Sequence, residues 1–311
     1  MAAKVSVGII GMGWVGTSVA ISTLQTGAVQ ELLLHDKREG LAEGEAMDLS
    51  HGSPFYPAAT VRAAPPQEML ETSAVVIAAG RGGKPDETRL DLLRDNAALI
   101  RDLARHFVDY PGVVVVVTNP VDVLTYEFQQ ASGLPAQRVI GTGTMLDTAR
   151  LRQVLGRELN LDPRSIHAQV VGEHGDSEVV LWSNAMVGGT LLRQWPGWSR
   201  EMEERVATEV RTSAYQIIQR KGATNHAIGL VTAALLRWML RGERRILTVS
   251  RVQDGALGVR NVALSLPTIV GADGASQVIA PDLEPEERAA FDRSADVLRQ
   301  AIASVREPSG G

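Results

Sequence analysis

Residues 5–16 read Val5-Ser6-Val7-Gly8-Ile9-Ile10-Gly11-Met12-Gly13-Trp14-Val15-Gly16. A short apolar run meets a G-x-G-x-x-G turn, and residues 17–24 continue with helical character. The pattern predicts a strand, a glycine turn and a helix opening behind it. Gly11 permits the tight turn, Gly13 lets a pyrophosphate approach the backbone, and Gly16 lets helix and strand pack closely. The helix N-terminus would offer unpaired N–H groups to phosphate. Taken alone, the same pattern also reads as a tight structural turn. The next stretch decides between them: Glu31-Leu-Leu-Leu-His35-Asp36 reads as a second strand ending on an acid 20 residues beyond Gly16. A carboxylate there accepts hydrogen bonds from an adenosine ribose and repels a 2′-phosphate. The expected cofactor is therefore NAD rather than NADP.

Working outward, residues 74–79 and 113–117 are continuous apolar runs without alternation. Parallel strands covered on both faces read this way. Residues 91–108 between them carry Leu92, Leu93, Leu99, Ile100, Leu103 and Phe107 near helical spacing. Alternation of strand and helix predicts an α/β fold, a Rossmann doubly wound parallel sheet over residues 1–142. The loops at 11–16, 79–89 and 118–122 leave the carboxyl ends of its strands and should share one crevice. Residues 143–311 predict a substrate-binding and catalytic domain of α+β type with antiparallel strands. In it, 201–221 reads as a long helix with Met202, Val206, Val210, Ile217 and Ile218 inward, interrupted at Gly222-Ala-Thr224 and resumed over 226–240. Strands are expected at 245–252 and 256–266, with a turn at Asp254-Gly255 and with Val262, Leu264 and Leu266 alternating on one buried face. Phe291, Ala295, Leu298, Ile302 and Val305 form the stripe of a final helix, facing core or a subunit contact.

Composition removes several classes of function. The 311 residues are 44% apolar and 22% charged, with a net charge of −5, so neither nucleic acid nor membrane is an expected partner. Absence of cysteine excludes disulfides and thiol chemistry and fits a cytoplasmic protein. The start resembles no signal peptide, and the apolar runs are too short to cross a bilayer. The six histidines show no paired ligand spacing, so no metal is expected.

Candidate chemistry gathers around Gly172-Glu-His174-Gly-Asp-Ser-Glu178, which follows the apolar run 166–171. His174 would sit where a strand ends, either capping a turn or exchanging a proton near neutral pH. Asp147 and Arg150 lie three apart, on one helix face. They read as a surface ion pair, or as a carboxylate holding His174 and a two-pronged guanidinium gripping a substrate carboxylate. The polar, glycine-rich stretch 80–89 is a solvated loop or a lid that swings Arg89 over the substrate. Asn119, before Pro120, either forms a turn or points its amide into the crevice. The break before residue 225 would present Thr224 to a cavity, although packing alone also accounts for it.

Taken together, residues 11–16, 84–92 (K-P-D-E-T-R-L-D-L), 118–122 (T-N-P-V-D), 146–150 (L-D-T-A-R), 172–178 (G-E-H-G-D-S-E) and 221–224 (K-G-A-T) resemble the NAD-dependent L-lactate and malate dehydrogenases, nearly end to end. The lactate branch is the closer. The resemblance implies that His174 donates and accepts the proton, with Asp147 as its partner. It implies that Arg150 binds the substrate carboxylate, that Arg89 polarises the carbonyl, that Asn119 bonds substrate beside the cofactor, and that Thr224 lines the pocket. Arg152 and His167 match two positions of the fructose-1,6-bisphosphate site found in activated members, and a homotetramer is implied. At one position the chain departs from the pattern. Six residues before the lid arginine, lactate dehydrogenases carry Gln and malate dehydrogenases Arg, whereas this chain has Gly83. Gly83 supplies no cation for a second carboxylate and leaves room for larger 2-oxo acids, so pyruvate ranks above oxaloacetate. The alternatives are a malate dehydrogenase using Arg81, or an NAD-binding sensor without catalysis.

Overall fold

The apolar runs of the first half all extend, because side chains buried on both faces of a sheet favour Val, Ile and Leu. β1 (Ser6–Ile10) leads into α1 (Trp14–Thr26), and β2 (Glu31–His35) into α2 (Glu39–His51). β3 (Thr60–Ala63), β4 (Ala74–Ile77), α3 (Arg89–Ala104), β5 (Val113–Val116), α4 (Val121–Ser132) and β6 (Val139–Gly141) follow. The computed structural model describes residues 4–82 and 87–306. These strands pair in parallel in the order 3-2-1-4-5-6. That is the doubly wound order, with its switch point where β1 lies beside β4.

The second half opens with α5 (Met145–Leu159). Short strands follow: β7 (Ile166–His167), β8 (Val170–Val171), β9 (Val179–Val180), β10 (Met186–Val187) and β11 (Thr190–Leu191). The run 166–171 is therefore not one strand. β7 pairs with β10 and β8 with β9, so the chain changes partner between them. α6 (Arg200–Lys221) ends at Gly222, whose left-handed backbone sends its N–H to Ile218 O, and α7 (His226–Leu240) resumes as expected. Of the α6 side chains expected to point inward, Ile217 and Ile218 remain exposed, at 38% and 47%.

β12 (Arg245–Asp254), β13 (Arg260–Gly271) and β14 (Gly274–Val278) are antiparallel, and α8 (Pro285–Arg306) closes the chain. They do not build a sheet of their own. β12 bridges to β6 at Ser250 and Gly141, so among the described residues one nine-stranded sheet runs from β14 to β3. Val262, Leu264 and Leu266 do not alternate with exposed neighbours, because α4, α7 and α8 all pack against β13 and the intervening Ala263 and Ser265 are buried too. Every apolar residue of the α8 stripe is buried, which assigns it to the core. Among the described residues no helix is long and apolar enough to cross a membrane, and no group of His, Asp and Glu could hold a metal ion.

Candidate active site

At the carboxyl end of β1 the glycine turn behaves as its spacing requires. Gly11 has φ +99°, and a Cβ there would lie 2.5 Å from Ala79 N; a Cβ on Gly16 would lie 1.8 Å from Gly11 O. A Cβ on Gly13 would meet nothing within 4 Å. The first and third glycines thus serve the packing, and the second faces open space. A cleft of about 500 Å³ runs past Gly11, Gly13, Asp36, Ala79, Arg81 and Asn96. Its far end is closed by Asp36, whose Oδ2 accepts from Met12 N at 2.9 Å and whose Oδ1 accepts from Arg38 N at 3.0 Å. Burial pushes this carboxyl up, but the Arg38 and Met12 N–H groups and the Arg38 guanidinium outweigh it and hold it below its ordinary range. Glycines without side chains, a free helix N-terminus and an ionised acid at the far end fit a dinucleotide.

A second cavity, of about 110 Å³, is lined by Asn119, Arg150, His174 and Thr224 with an apolar wall that includes Val15, Leu146 and Ile228. These residues come from four distant stretches. Asn119 follows β5, and its Oδ1 accepts from Val121 N at 3.3 Å. Arg150 lies on the first turns of α5, where Asp147 is an inward neighbour. Asp147 joins the two cations: Oδ2 meets His174 Nδ1 at 2.5 Å and Oδ1 accepts from Arg150 Nη1 at 2.7 Å. The surface ion pair is thereby ruled out, because the Asp147 side chain is 4% exposed and that of Arg150 14%.

The His174 loop is fixed through its backbone. Gly172 N donates to Ser265 O at 2.9 Å, Glu173 N to Ser294 Oγ at 2.8 Å, and His174 N to Asp122 Oδ2 at 2.7 Å. Gly172 takes φ +85°, and a Cβ on it would approach Ser294 Oγ to 2.6 Å. β13, α8 and α4 therefore each hold one peptide of the segment.

Two candidate residues stand apart from this group. Arg89 is exposed at the first position of α3 and does not line the cavity, although its charge reaches the Tyr215 phenol on α6. Gly83 lies outside the described residues. Arg81 does not fold toward His174: it lies beside the dinucleotide cleft, paired with Glu87 and with Asp95 at 2.6 Å. Arg152 bonds Ala168 O at 3.0 Å, and the adjacent His167 is exposed on β7.

Comparison with known proteins matches the same two halves. Residues 5–141 fit the family model for the lactate/malate dehydrogenase, NAD binding domain, and residues 144–308 that for the lactate/malate dehydrogenase, alpha/beta C-terminal domain. The chain belongs to the lactate/malate dehydrogenase family. An L-lactate dehydrogenase of Salinibacter ruber is 43% identical over 307 residues, covering 96% of this chain and 97% of the relative. L-lactate dehydrogenase 2 of Bacillus cereus is 40% identical over 304 residues, covering 96% and 97%. The crystal structure of a minor L-lactate dehydrogenase from Enterococcus mundtii superposes with a TM-score of 0.95 at 37% identity, covering 98% and 99%. The NAD cofactor, the α/β fold and the oxidoreductase class expected of the sequence are borne out.

Within this dehydrogenase frame the electrostatics of the cavity are set by buried acids. Burial pushes the His174 imidazole down, but the charge and hydrogen bond of Asp147, helped by Asp122 and opposed by Arg150, hold it up at about 9. Asp147 itself is raised by burial and lowered further by His174 and Arg150, so it stays ionised. Two acids in the matching motifs had been given no role. Asp122, 2% exposed, is pushed by burial to about 6. Glu178, 6% exposed, is pushed by burial and by Asp147 to about 8, against the pull of Arg211 and His174. The T-N-P-V-D and G-D-S-E stretches contained both acids. Nothing in their spacing showed that they would be buried against the same loop.

Two predictions follow from this geometry. Gly16→Ala should lower both Tm and NADH affinity, while Gly13→Ala should leave Tm unchanged and weaken NADH alone; thermal melts and fluorescence titration read the two effects. The second concerns pH. His174 is held at about 9 against an ordinary 6.5, so its pairing contributes fully below pH 6.5 and is lost as pH rises through 9. Denaturation of wild type from pH 6 to 10 should show that decline, and His174→Gln should flatten it; parallel curves would contradict the pairing.

Proposed function

We propose that the chain is an L-lactate dehydrogenase that reduces pyruvate to L-lactate with NADH, and that residues 1–142 carry the cofactor and 143–311 the substrate. The observation behind this reading is the joining of His174 and Arg150 through Asp147 at one small cavity. Protonated His174 gives its proton to the carbonyl oxygen, and Asp147 keeps the imidazole charged and oriented. Arg150 has one guanidinium nitrogen on Asp147, and its remaining N–H groups, unbonded among the described residues, take the substrate carboxylate. Asn119 hydrogen-bonds substrate beside the cofactor, and Thr224 closes the wall. Arg89 approaches from α3 and polarises the carbonyl. Gly11, Gly13, Gly16 and Asp36 would hold NADH, which when bound would supply the hydride to the carbonyl carbon and leave as NAD+.

Pyruvate is favoured over oxaloacetate because Gly83 carries no charge and Arg81, two residues before it, is occupied by Glu87 and Asp95. The apolar wall suits a methyl group, and Gly83 extends the proposal to larger 2-oxo acids. A sensor without catalysis has no use for a proton donor, a paired acid and a carboxylate-binding arginine at one cavity. Homotetramer formation is supported by exposed Trp14, Leu230 and Ile246, at 62%, 65% and 53%. Cytoplasmic location and activation by fructose-1,6-bisphosphate at Arg152 and His167 complete the proposal.

Initial rates on pyruvate, oxaloacetate and branched 2-oxo acids, with and without fructose-1,6-bisphosphate, should rank pyruvate first; an oxaloacetate preference would overturn the substrate assignment. His174→Ala should lower kcat by roughly 10²–10⁴-fold while NADH still binds. Arg150→Ala should raise the KM for the 2-oxo acid, and an unchanged KM would remove it from the carboxylate site.

A further inference from the structure

Where β2 ends, the chain runs Asp36-Lys37-Arg38 along the far end of the dinucleotide cleft. The acid is fixed to the glycine turn: Gly11 N donates to His35 O at 2.7 Å and Met12 N to Asp36 Oδ2 at 2.9 Å. The two cations beside it are freer. Arg38 is the N-cap residue of α2, its side chain 66% exposed, and its Nε lies 3.3 Å from Asp36 Oδ1. Among the described residues no hydrogen bond or ion pair engages its Nη groups or Lys37 Nζ. The other charges lining the cleft, Arg81 and Asp95, are spent on each other at 2.6 Å. Glu39 and Glu43 on α2 line a neighbouring depression and not the cleft. A lone acid at this position excludes a ribose 2′-phosphate by repulsion. Here the acid is paired with a guanidinium, and a second, uncommitted cation adjoins it.

We infer that Lys37 and Arg38 form a 2′-phosphate subsite, so that the chain takes NADPH as a second coenzyme beside NADH. The inference rests on the proposal that Asp36 marks the adenosine ribose. A phosphate monoester there would carry about −1.5 to −2 charges at pH 7. The free Nη groups of Arg38 present the planar fork that suits phosphate oxygens, and Lys37 adds a point charge. Asp36 opposes them only in part, because Oδ2 already accepts from Met12 N and Oδ1 from Arg38 N. The redox balance is that of NADH: the carbonyl carbon gains hydride, its oxygen gains the proton of His174, and NADP+ is released. Because Arg38 is exposed, its attraction for phosphate is screened by salt, and NADH remains the better coenzyme.

Calorimetric titration of the full-length protein with adenosine 2′,5′-bisphosphate and with 5′-AMP reads the subsite without turnover. At low salt the bisphosphate should bind at least as tightly as 5′-AMP, and its Kd should rise the more steeply with added salt. Arg38→Ala should raise the Kd of the bisphosphate about tenfold relative to that of 5′-AMP, and Lys37→Ala a few-fold. Arg38→Lys keeps the charge without the fork and should fall between wild type and Arg38→Ala. In steady-state rates with pyruvate, wild-type kcat/KM for NADPH should lie within about 10²-fold of that for NADH, and Arg38→Ala should widen the gap about tenfold. Bisphosphate bound more than about tenfold more weakly than 5′-AMP by wild type, a ratio of the two unchanged in Arg38→Ala, or NADPH oxidation no faster than in the protein-free blank would each overturn the inference. Failure of the underlying reading looks different: Asp36→Ala would then leave NADH affinity, read by fluorescence titration, at the wild-type value, whatever the Arg38 variants do.

Discussion

The active cavity depends on one buried carboxylate with two cations. Asp147 spends one oxygen on His174 and the other on Arg150. Without it an imidazolium and a guanidinium would face the same small space, and their repulsion in a poorly solvated site would drive the imidazole to its neutral form. With it, the imidazole is held in its charged form, and both side chains still line the cavity. The arrangement requires Asp147 on the first turn of α5, where the helix N-terminus also favours a negative charge. It also requires that the His174 loop approach that turn to hydrogen-bonding distance.

The approach is enforced by the sheet. β13 bridges to Gly172, β12 bridges to β6, and β6 continues through β5 and β4 to β1, where the glycine turn begins. The glycine-turn cleft and the His174 loop are thus set on one continuous ladder of backbone hydrogen bonds. α5 is tied into the same frame: Thr144 N donates to Ser265 Oγ at 3.0 Å, and Thr148 Oγ1 accepts from Val170 N at 3.0 Å. A shift of either half would break several buried backbone bonds, each costly to leave unmade.

Features that depend on neighbours in sequence were legible, and those that depend on distant packing were not. The glycine turn, Asp36, the buried runs at 74–77 and 113–116, the break at Gly222 and the α8 stripe could be read because each is a local pattern with a local cause. The residues of the cavity could be assembled only because several motifs occurred in one family's order. Sequence gave no sign that β12 would extend the parallel sheet, since edge pairing is a long-range event. The alternation read at 262–266 failed because helices cover both faces of β13, and the inward placing of Ile217 and Ile218 failed because both are exposed near the end of α6, where Ile218 borders the open cavity rather than packed core. The contact of Asp122 is not legible from its motif, since its partner lies 52 residues away.

Charge distribution around the cavity also bears on which acid enters it. His174 is compensated by Asp147, so the cation able to meet a substrate carboxylate there, among the described residues, is Arg150. Against Val15, Leu146 and Ile228 a second carboxylate would lose its hydration without gaining a partner from that wall. Arg81 could help only by leaving Asp95 and Glu87, exchanging an existing pair for a new one and gaining little. Among the described residues, the cavity lining therefore disfavours a dicarboxylate through its lack of a second cation as much as through shape. Discrimination of this kind favours a monocarboxylate even where the cavity would accommodate a longer chain.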